Sequence, residues 1–398
     1  MAQPTLRDYL HLGANQTFSC HALYFHLQSS HSLLRALGIP RNGRVPAQLI
    51  APDTVVALHI DQPSNLEQDS YFPHVLNRLK DERVPITKIM LGQTNWYKFQ
   101  GASSLDFSGF CHIKHLIIRG SAFSESHLRS VLSSLPTLRT LELHNNSMQD
   151  PPNPVRAVFA NGDRPTIGTL ALTIGNDTCW TLLDLLVSDR SPLNIGKLER
   201  LVLWRARGIP PAGGNSLISR RVSSILQWVK FPFALELDDF KITAPMLPIT
   251  NLVNIKELTI TLGVSNNYYD FNYQMLVWWT ETLKNIPGWT KLCKITIKVE
   301  LGPPTAANAP HPRDLAQWEA FDDALCRIEI YSGLEQLRYS VVPKTGYAGH
   351  PGYDCDTMRR WLCLRCLPRA RIMYTASEDC DFQVLDWANQ EVDVSGYT

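Results

Sequence analysis

The chain has 398 residues, of which 44% are hydrophobic and 19% are charged, a composition typical of globular proteins. A chain of this length is too long for one ordinary compact core unless repetition extends that core. The 38 basic and 37 acidic side chains leave a formal charge of +1. Such a balance excludes a field of one sign that would steer the whole molecule to nucleic acid or to an anionic membrane.

The amino-terminal residues Met1 to Asp8 lack the long apolar run of a secretory signal, and no later stretch approaches the roughly 20 apolar residues that cross a bilayer. We therefore expect a soluble protein of the cytoplasm or nucleus.

Nine cysteines, an odd number, are expected to be reduced and mostly buried. Residues 1–50 lack the repeat described next, and we predict that they form a helical cap or a degenerate adaptor segment.

From residue 51 to residue 375 a strand pattern recurs, in which an apolar–x–apolar triplet follows another apolar residue by three positions and precedes a polar turn. The best copy is residues 138–146, where Leu138, Leu141, Leu143 and Asn146 spell LxxLxLxxN. Strand centres are predicted at residues 58–60, 89–91, 116–118, 141–143, 170–172, 201–203, 235–237, 258–260, 295–297, 337–339 and, as the last strand, 372–374.

Between these triplets, apolar residues recur at three- and four-residue spacing, which predicts helices that cover one side of a sheet. Helices are predicted at residues 124–132, 179–187, 216–229, 273–286, 314–328 and 356–367. Proline- and glycine-rich stretches at residues 209–214, 303–312 and 344–354 are predicted to be inserted loops. The acidic residues 376–398 are assigned to a carboxyl-terminal cap or tail. The predicted fold is α/β, a leucine-rich-repeat solenoid with a curved parallel sheet on one side, helices on the other, and irregular long repeats.

The repeat around Leu141, with long and loosely spaced units, resembles the leucine-rich-repeat region of F-box proteins, especially the divergent set in mushroom-forming fungi. The resemblance covers residues 50–375. It implies that the repeats receive a substrate protein, and that an amino-terminal F-box docks a cullin-type ubiquitin ligase through an adaptor. The Leu-Pro-x-Glu-Leu-Leu type of opening is missing, and residues 16–38 match it poorly.

Strand alternation predicts which side chains face away from the core. If Leu141 and Leu143 point inward, Thr140 points outward with its alternate neighbours. We expect Trp204 to be the first anchor, because aromatic and arginine side chains dominate interface hot spots; the alternative is that it packs beneath the loop at residues 209–214. The residues predicted to bind a protein partner are Arg119, Glu142, His144, Thr173, Trp204, Asp238, Thr261, Lys298 and Arg338.

No residue is predicted to be catalytic, to hold a cofactor or to bind a metal. Cys363 and Cys366 supply only two of the four ligands of a structural zinc site, and packing in a helix explains them better. The acidic pairs at residues 238–239 and 322–323 are expected on a solvated face. Tyr268 and Tyr269 are expected on a turn within reach of a partner, and Trp278 in the core.

These observations favour a non-catalytic scaffold that recognises a protein on its strand face, with no nucleic-acid or membrane partner. Two alternatives stay open. One is a substrate receptor of a cullin-type ubiquitin ligase, in which residues 1–50 dock the adaptor. The other is an enzyme with an unfamiliar site in the carboxyl-terminal loops, where His350, Asp354 and Cys355 lie close in sequence.

Overall fold

A computed structural model of the chain places a large part of it in parallel β-structure with a few helices. It describes residues 22–27, 55–60, 80, 86–93, 95–96, 107–148, 164–174, 181–182, 185–186, 191–205, 222–226, 233–237, 248–250, 252–263, 273–286, 290–301, 312–327, 333–343, 359–360, 362–376 and 380–385.

The chain divides into two compact units. Unit 1 comprises residues 1–173 and 178–195, and unit 2 comprises residues 174–177 and 196–398. Unit 1 holds a parallel sheet in the order β1-β2-β3-β4-β6-β8, and β5 pairs separately with β7. Its strands are β1 (Ala22–Leu27), β2 (Val55–Ile60), β3 (Ile86–Gly92), β4 (His115–Arg119), β5 (Ala122–Phe123), β6 (Thr140–His144), β7 (Ser147–Met148) and β8 (Thr169–Ile174).

Unit 2 holds a second run of parallel strands, in the order β9-β10-β11-β12-β13-β14, so that each described strand pairs with the next along the chain. These strands are β9 (Arg200–Arg205), β10 (Phe233–Leu237), β11 (Ile255–Gly263), β12 (Lys294–Leu301), β13 (Gln336–Pro343) and β14 (Asp381–Leu385). The α-helices described over their full length are α1 (Glu125–Ser133) in unit 1 and α2 (Tyr273–Lys284), α3 (Pro312–Leu325) and α4 (Pro368–Thr375) in unit 2. Residues 222–226 are also helical.

The strands form because alternate residues are apolar and can be buried on one face. Leu141 and Leu143 are 0% and 2% exposed, whereas Thr140, Glu142 and His144 remain partly exposed, which confirms the predicted alternation. The register sets like residues beside one another: Leu141 pairs with Leu116 in β4 and with Leu170 in β8. Each buried side chain of this kind contributes roughly 1.5–3 kcal/mol.

The turn after β6 is fixed by two consecutive asparagines. Asn145 has a positive φ of 50° and is exposed, a conformation that asparagine adopts more readily than most residues. Asn146 is 1% exposed; its Oδ1 accepts a hydrogen bond from the Ser121 amide, and its Nδ2 donates one to the Ile118 carbonyl, each at 3.0 Å. Asn146 therefore ties this turn to the turn after β4.

Helix α1 begins where the sequence predicts it. Ser124 is the N-cap: its Oγ accepts a hydrogen bond from the His127 amide, while the His127 ring accepts one from the Ser124 amide. This reciprocal arrangement satisfies two amides that the first turn leaves without helical partners. Leu128, Val131 and Leu132 are buried on one side of the helix, as their spacing predicts.

In unit 2, helices α2 and α3 pack against each other and bring large aromatic side chains into the core. Trp278, predicted to be buried, is 3% exposed, and its ring centroid lies 4.9 Å from that of Trp279. Trp318 and Phe321 of α3 are 0% exposed. These two helices therefore contribute four large aromatic side chains to the described core of unit 2.

The last predicted strand is wrong, and strands β1 and β14 lie in segments where no strand was predicted. Residues 372–374, predicted as the last strand, belong to helix α4, which opens with a proline at its first turn after the π-helical turn Leu362–Cys366; proline suits a first helical turn because its missing amide has no partner there. The last described strand is instead β14, in the segment assigned to the tail. Strand β1 lies in the segment expected to be a helical cap, because a short apolar run fits a strand as well as a helix.

Candidate functional site

The outward face of each sheet, opposite its apolar core, carries polar side chains in aligned rows. In unit 1 the register places His115 beside Thr140, Ile117 beside Glu142, and Arg119 beside His144. Ile117 is 2% exposed although it points outward. The side chains of this face that remain at least partly exposed are polar: His115, Arg119, Thr140, Glu142 and His144.

Four side chains of unit 1 form one hydrogen-bonded group, which we call the His–Glu cluster: His115, Glu142, His144 and Thr173. The Oε1 of Glu142 accepts from His115 Nε2 at 2.7 Å, and its Oε2 accepts from His144 Nε2 at 3.0 Å. The Nδ1 of His144 forms a hydrogen bond with the Thr173 hydroxyl, 3.0 Å away. The cluster links β4, β6 and β8.

The two imidazoles stabilise the ionised form of the Glu142 carboxylate. Partial burial raises the pKa of Glu142, but hydrogen bonds and charge interactions with His115 and His144 outweigh burial and hold it well below its usual range. Both carboxylate oxygens are thus engaged within the protein. Among the described residues, no group of three or more His, Cys, Asp and Glu side chains has an arrangement that could hold a metal ion.

The outward face of unit 2 contains a depression of about 550 Å³, which we call the unit 2 groove. It crosses every strand of this sheet from β9 to β14. Its floor is polar, and its charged groups come in both signs. The lining residues are Arg200, Ala234, Leu235, Glu236, Glu257, Leu258, Thr259, Lys294, Thr296, Lys298, Arg338, Gln383 and Leu385.

Glu236 lies at one side of the groove between two cations. Its Oε2 accepts from Arg200 at 2.6 Å and its Oε1 accepts from Lys298 at 3.1 Å. Burial raises the pKa of Glu236, but the positive charges and hydrogen bonds of Lys298 and Arg200 lower it overall. The Glu236 side chain is 15% exposed, against 55% for Arg200 and 35% for Lys298, so the cations keep part of their surface toward solvent.

Two further contacts order the other side of the groove. Lys294 lies 3.8 Å from a carboxylate oxygen of Glu257 on the neighbouring strand. Arg338 donates from Nε to the Gln383 side-chain oxygen at 2.8 Å, across paired positions of β13 and β14. These contacts limit the rotamers of four long side chains before any ligand binds, which reduces the entropy cost of binding.

The structure distributes the predicted partner-binding residues over both units. Arg119 is exposed, and five others are partly exposed: Glu142, His144, Trp204, Lys298 and Arg338. Two of these, Lys298 and Arg338, come together in the unit 2 groove. Asp238 lies outside the described residues, as do the loop at residues 209–214 and the tyrosines at residues 268–269.

The prediction that Thr173 and Thr261 are exposed is wrong, since each is 5% exposed. Both lie on strands at positions that alternation places on the outward face, but neighbouring side chains cover them. Thr173 is hydrogen-bonded in the His–Glu cluster, and Thr261 pairs with the longer Lys298. Alternation predicts the face on which a side chain lies, and the neighbours of the side chain decide its exposure.

Several groove residues were not among those predicted: Arg200, Glu236, Glu257, Lys294, Thr296 and Gln383. His115 of the His–Glu cluster was also missed. The signal was present, because most of these residues lie two positions from a predicted outward residue, or on the same face of a predicted strand. Gln383 lies on β14 and could not be placed, because that strand was not predicted.

The acidic pair at residues 322–323 divides between two environments. Asp323 is exposed, as expected, but the expectation of a solvated face is wrong for Asp322, which is 1% exposed. Its carboxylate accepts hydrogen bonds from the amides of Arg369 and Ala370 at 2.8 and 2.9 Å. Burial nevertheless raises the pKa of Asp322. The side chain therefore serves as a cap for helix α4, supplied by helix α3.

Cys363 and Cys366 are buried in the π-helical turn, each 0% exposed, and burial raises the pKa of both thiols. This environment agrees with the packing explanation that the sequence favours. The three residues proposed for an enzyme site in the carboxyl-terminal loops, at residues 350, 354 and 355, lie outside the described residues.

Comparison of the chain with protein-family models and with curated proteins gives no match. None of the helices in the described part of the chain is both long and apolar enough to cross a membrane.

Proposed function

We propose that this chain is a leucine-rich-repeat solenoid that recognises a protein partner on its strand face, without catalysis. The observation that carries the proposal is the unit 2 groove, in which charged side chains from successive parallel strands form an ordered and partly solvent-exposed surface. A repeat array presents such a surface because every strand contributes outward residues at the same level.

The repeat architecture is supported by the best copy of the sequence signature. Its four defining residues, Leu138, Leu141, Leu143 and Asn146, are all buried, at 0 to 2% exposure. The leucines fill the core, and Asn146 bridges to the preceding turn through two hydrogen bonds. Each residue of the signature is thus buried in the fold, and Asn146 connects this repeat to the preceding one.

The recognition mechanism we propose is rigid presentation. Strand pairing fixes the backbone, and the ion pairs of Glu236 with Arg200 and Lys298 hold the long side chains in place. A partner then binds without much loss of side-chain freedom, and its affinity depends on a few anchors. Among the described residues Arg338, Lys298 and Trp204 are the candidates for such anchors.

Affinity capture with the purified full chain tests this function. Proteins captured by the wild type are compared with those captured by Trp204→Ala, Arg119→Ala and Arg338→Ala, and by the control Arg365→Ala, which removes an exposed arginine outside the groove. We expect a specific set to be lost with at least one strand-face variant and kept with the control. If every variant keeps the same set, binding lies on another surface and the proposal fails.

The ubiquitin-ligase alternative depends on residues 1–50, of which the structure describes 22–27 as strand β1. No observation on the described residues favours it. Copurification of an F-box adaptor with the full chain, and its loss on deletion of residues 1–50, would establish it.

A further inference from the structure

We propose that the unit 2 groove binds an extended acidic segment of the partner protein, whose carboxylates two residues apart are held by Lys294, Arg338 and Lys298. The inference rests on the proposed function and adds the chemical class of the segment that is recognised. It follows from the charge of the groove, the free hydrogen-bonding capacity of Arg338, and the spacing that the strand register sets.

The groove has an excess of positive charge that the chain as a whole lacks. Its lining includes four cationic side chains, Arg200, Lys294, Lys298 and Arg338, and two carboxylates, Glu236 and Glu257. The excess is two positive charges within one depression, whereas the full chain carries a formal charge of +1. A concave surface with a net positive charge attracts anionic groups more strongly than a flat surface of the same charge.

Arg338 is the cation with most capacity left for a ligand. Its Nε donates to the neutral side chain of Gln383, and among the described residues it forms no ion pair. The two terminal guanidinium nitrogens therefore keep their N–H donors for a partner. Arginine presents such donors in a planar fork that matches both oxygens of one carboxylate. Gln383 orients the fork without neutralising it.

The register places the three cations at the spacing of an extended chain. Lys294 and Lys298 lie on β12, four residues apart, a separation of about 13 Å along a parallel strand. Midway between them is Thr296, which pairs with Arg338 on the neighbouring strand β13. In an extended peptide, side chains on one face recur every second residue, at about 6.6 Å. Three such carboxylates would reach Lys294, Arg338 and Lys298 in turn.

The two carboxylates of the groove favour an acidic peptide over a nucleic acid. Glu236 and Glu257 lie among the cations and would repel a continuous row of phosphates, whereas a peptide can place neutral residues opposite them. The described lining also contains no aromatic side chain on which a base could stack. Nucleic acid is therefore the competing ligand that the experiment must include.

Fluorescence anisotropy with the full chain tests the inference. The probes are a labelled synthetic peptide of alternating glutamate and serine, the same peptide with glutamine in place of glutamate, and a labelled single-stranded oligonucleotide. We expect the glutamate peptide to bind in low salt and to weaken as salt is added, while the glutamine peptide does not bind. Arg338→Gln should weaken binding about tenfold or more, as expected for a charge-assisted pair.

Two further variants separate the role of Arg338 from a general loss of charge or of fold. Arg365→Gln removes one positive charge outside the groove and should leave the affinity unchanged. Arg338→Lys keeps the charge but not the fork, and should give an intermediate affinity. Thermal unfolding and circular dichroism confirm that each variant is folded; a misfolded Arg338 variant is replaced by Lys298→Gln, which should also weaken binding.

The inference is overturned if the glutamate and glutamine peptides bind alike, if Arg338→Gln and Arg365→Gln have equal effects, or if the oligonucleotide binds more tightly with the same dependence on Arg338. Its failure is distinguishable from failure of the proposed function. Captured proteins that are lost with Arg338→Ala, together with no binding of the acidic peptide, would leave protein recognition standing and refute the acidic ligand. If no strand-face variant changes the captured set and the acidic peptide does not bind, both the proposed function and the acidic ligand are refuted.

Discussion

Replacing Asn146 by alanine is the sharpest test of the repeat architecture, because its neighbour Asn145 provides a matched control in the same turn. Asn146→Ala removes the acceptor of the Ser121 amide and the donor to the Ile118 carbonyl. Ser121 is 1% exposed, so water does not replace the lost partner. A buried polar group without its partner costs about 1–3 kcal/mol. For two such groups, with part of the cost offset by relaxation of the surrounding structure, we expect the free energy of unfolding to fall by about 2–4 kcal/mol.

Asn145→Gly changes the same turn without removing a buried contact. Its positive φ of 50° suits glycine, so the stability should change by less than about 1 kcal/mol. Urea denaturation followed by circular dichroism measures both variants, and hydrogen exchange at the Ser121 amide reports the lost bond directly. If Asn146→Ala unfolds within about 0.5 kcal/mol of the wild type, or if exchange at Ser121 is unchanged, the bridging role is refuted.

Three further predictions concern stability. Asp322→Ala should cost about 2–4 kcal/mol because two helix amides lose their acceptor, whereas Asp323→Ala should cost less than about 1 kcal/mol; equal losses in urea denaturation would contradict the capping role. Because the pKa of Glu142 is lowered in the fold, its carboxylate stabilises above the ordinary carboxyl pKa and less as pH falls. The difference in Tm between wild type and Glu142→Gln should therefore shrink from about pH 6 to about pH 3, and a constant difference would refute this. Leu141→Ala should cost about 2–5 kcal/mol and Thr140→Ala under about 0.5 kcal/mol in denaturant; similar losses would invalidate the predicted alternation.

The strands were predictable wherever a pair of apolar residues flanks a polar one. Leu141 and Leu143 are such a pair, and burial on one face forces that pattern. Helix α1 was equally predictable, because Ser124 marks its start and leucines follow at helical spacing. Both cases depend on local chemistry that a single sequence displays.

The wrong predictions arose where the local sequence fits more than one secondary structure, or where residues distant in the chain determine which structure forms. Residues 372–374 are a short run of apolar residues that fits a strand as well as a helix. Helix α4 forms there, and Asp322, far away in the chain, caps its first amides. The groove could be anticipated only as separate outward residues. The strand register determines which of these side chains are neighbours. The pairing of Thr296 with Arg338 is set by tertiary structure, and the spacing of residues in the sequence does not determine it.

The order of strands in each unit has a consequence for how the protein is made. In unit 2 each strand from β10 to β14 pairs with the one before it in the chain. The strand with which each of them pairs has therefore already been synthesised when it leaves the ribosome. Domains that assemble from successive neighbours can fold during synthesis, and repeat arrays can propagate from an existing edge. Pulling on the carboxyl terminus should likewise peel the sheet one strand at a time, beginning with β14.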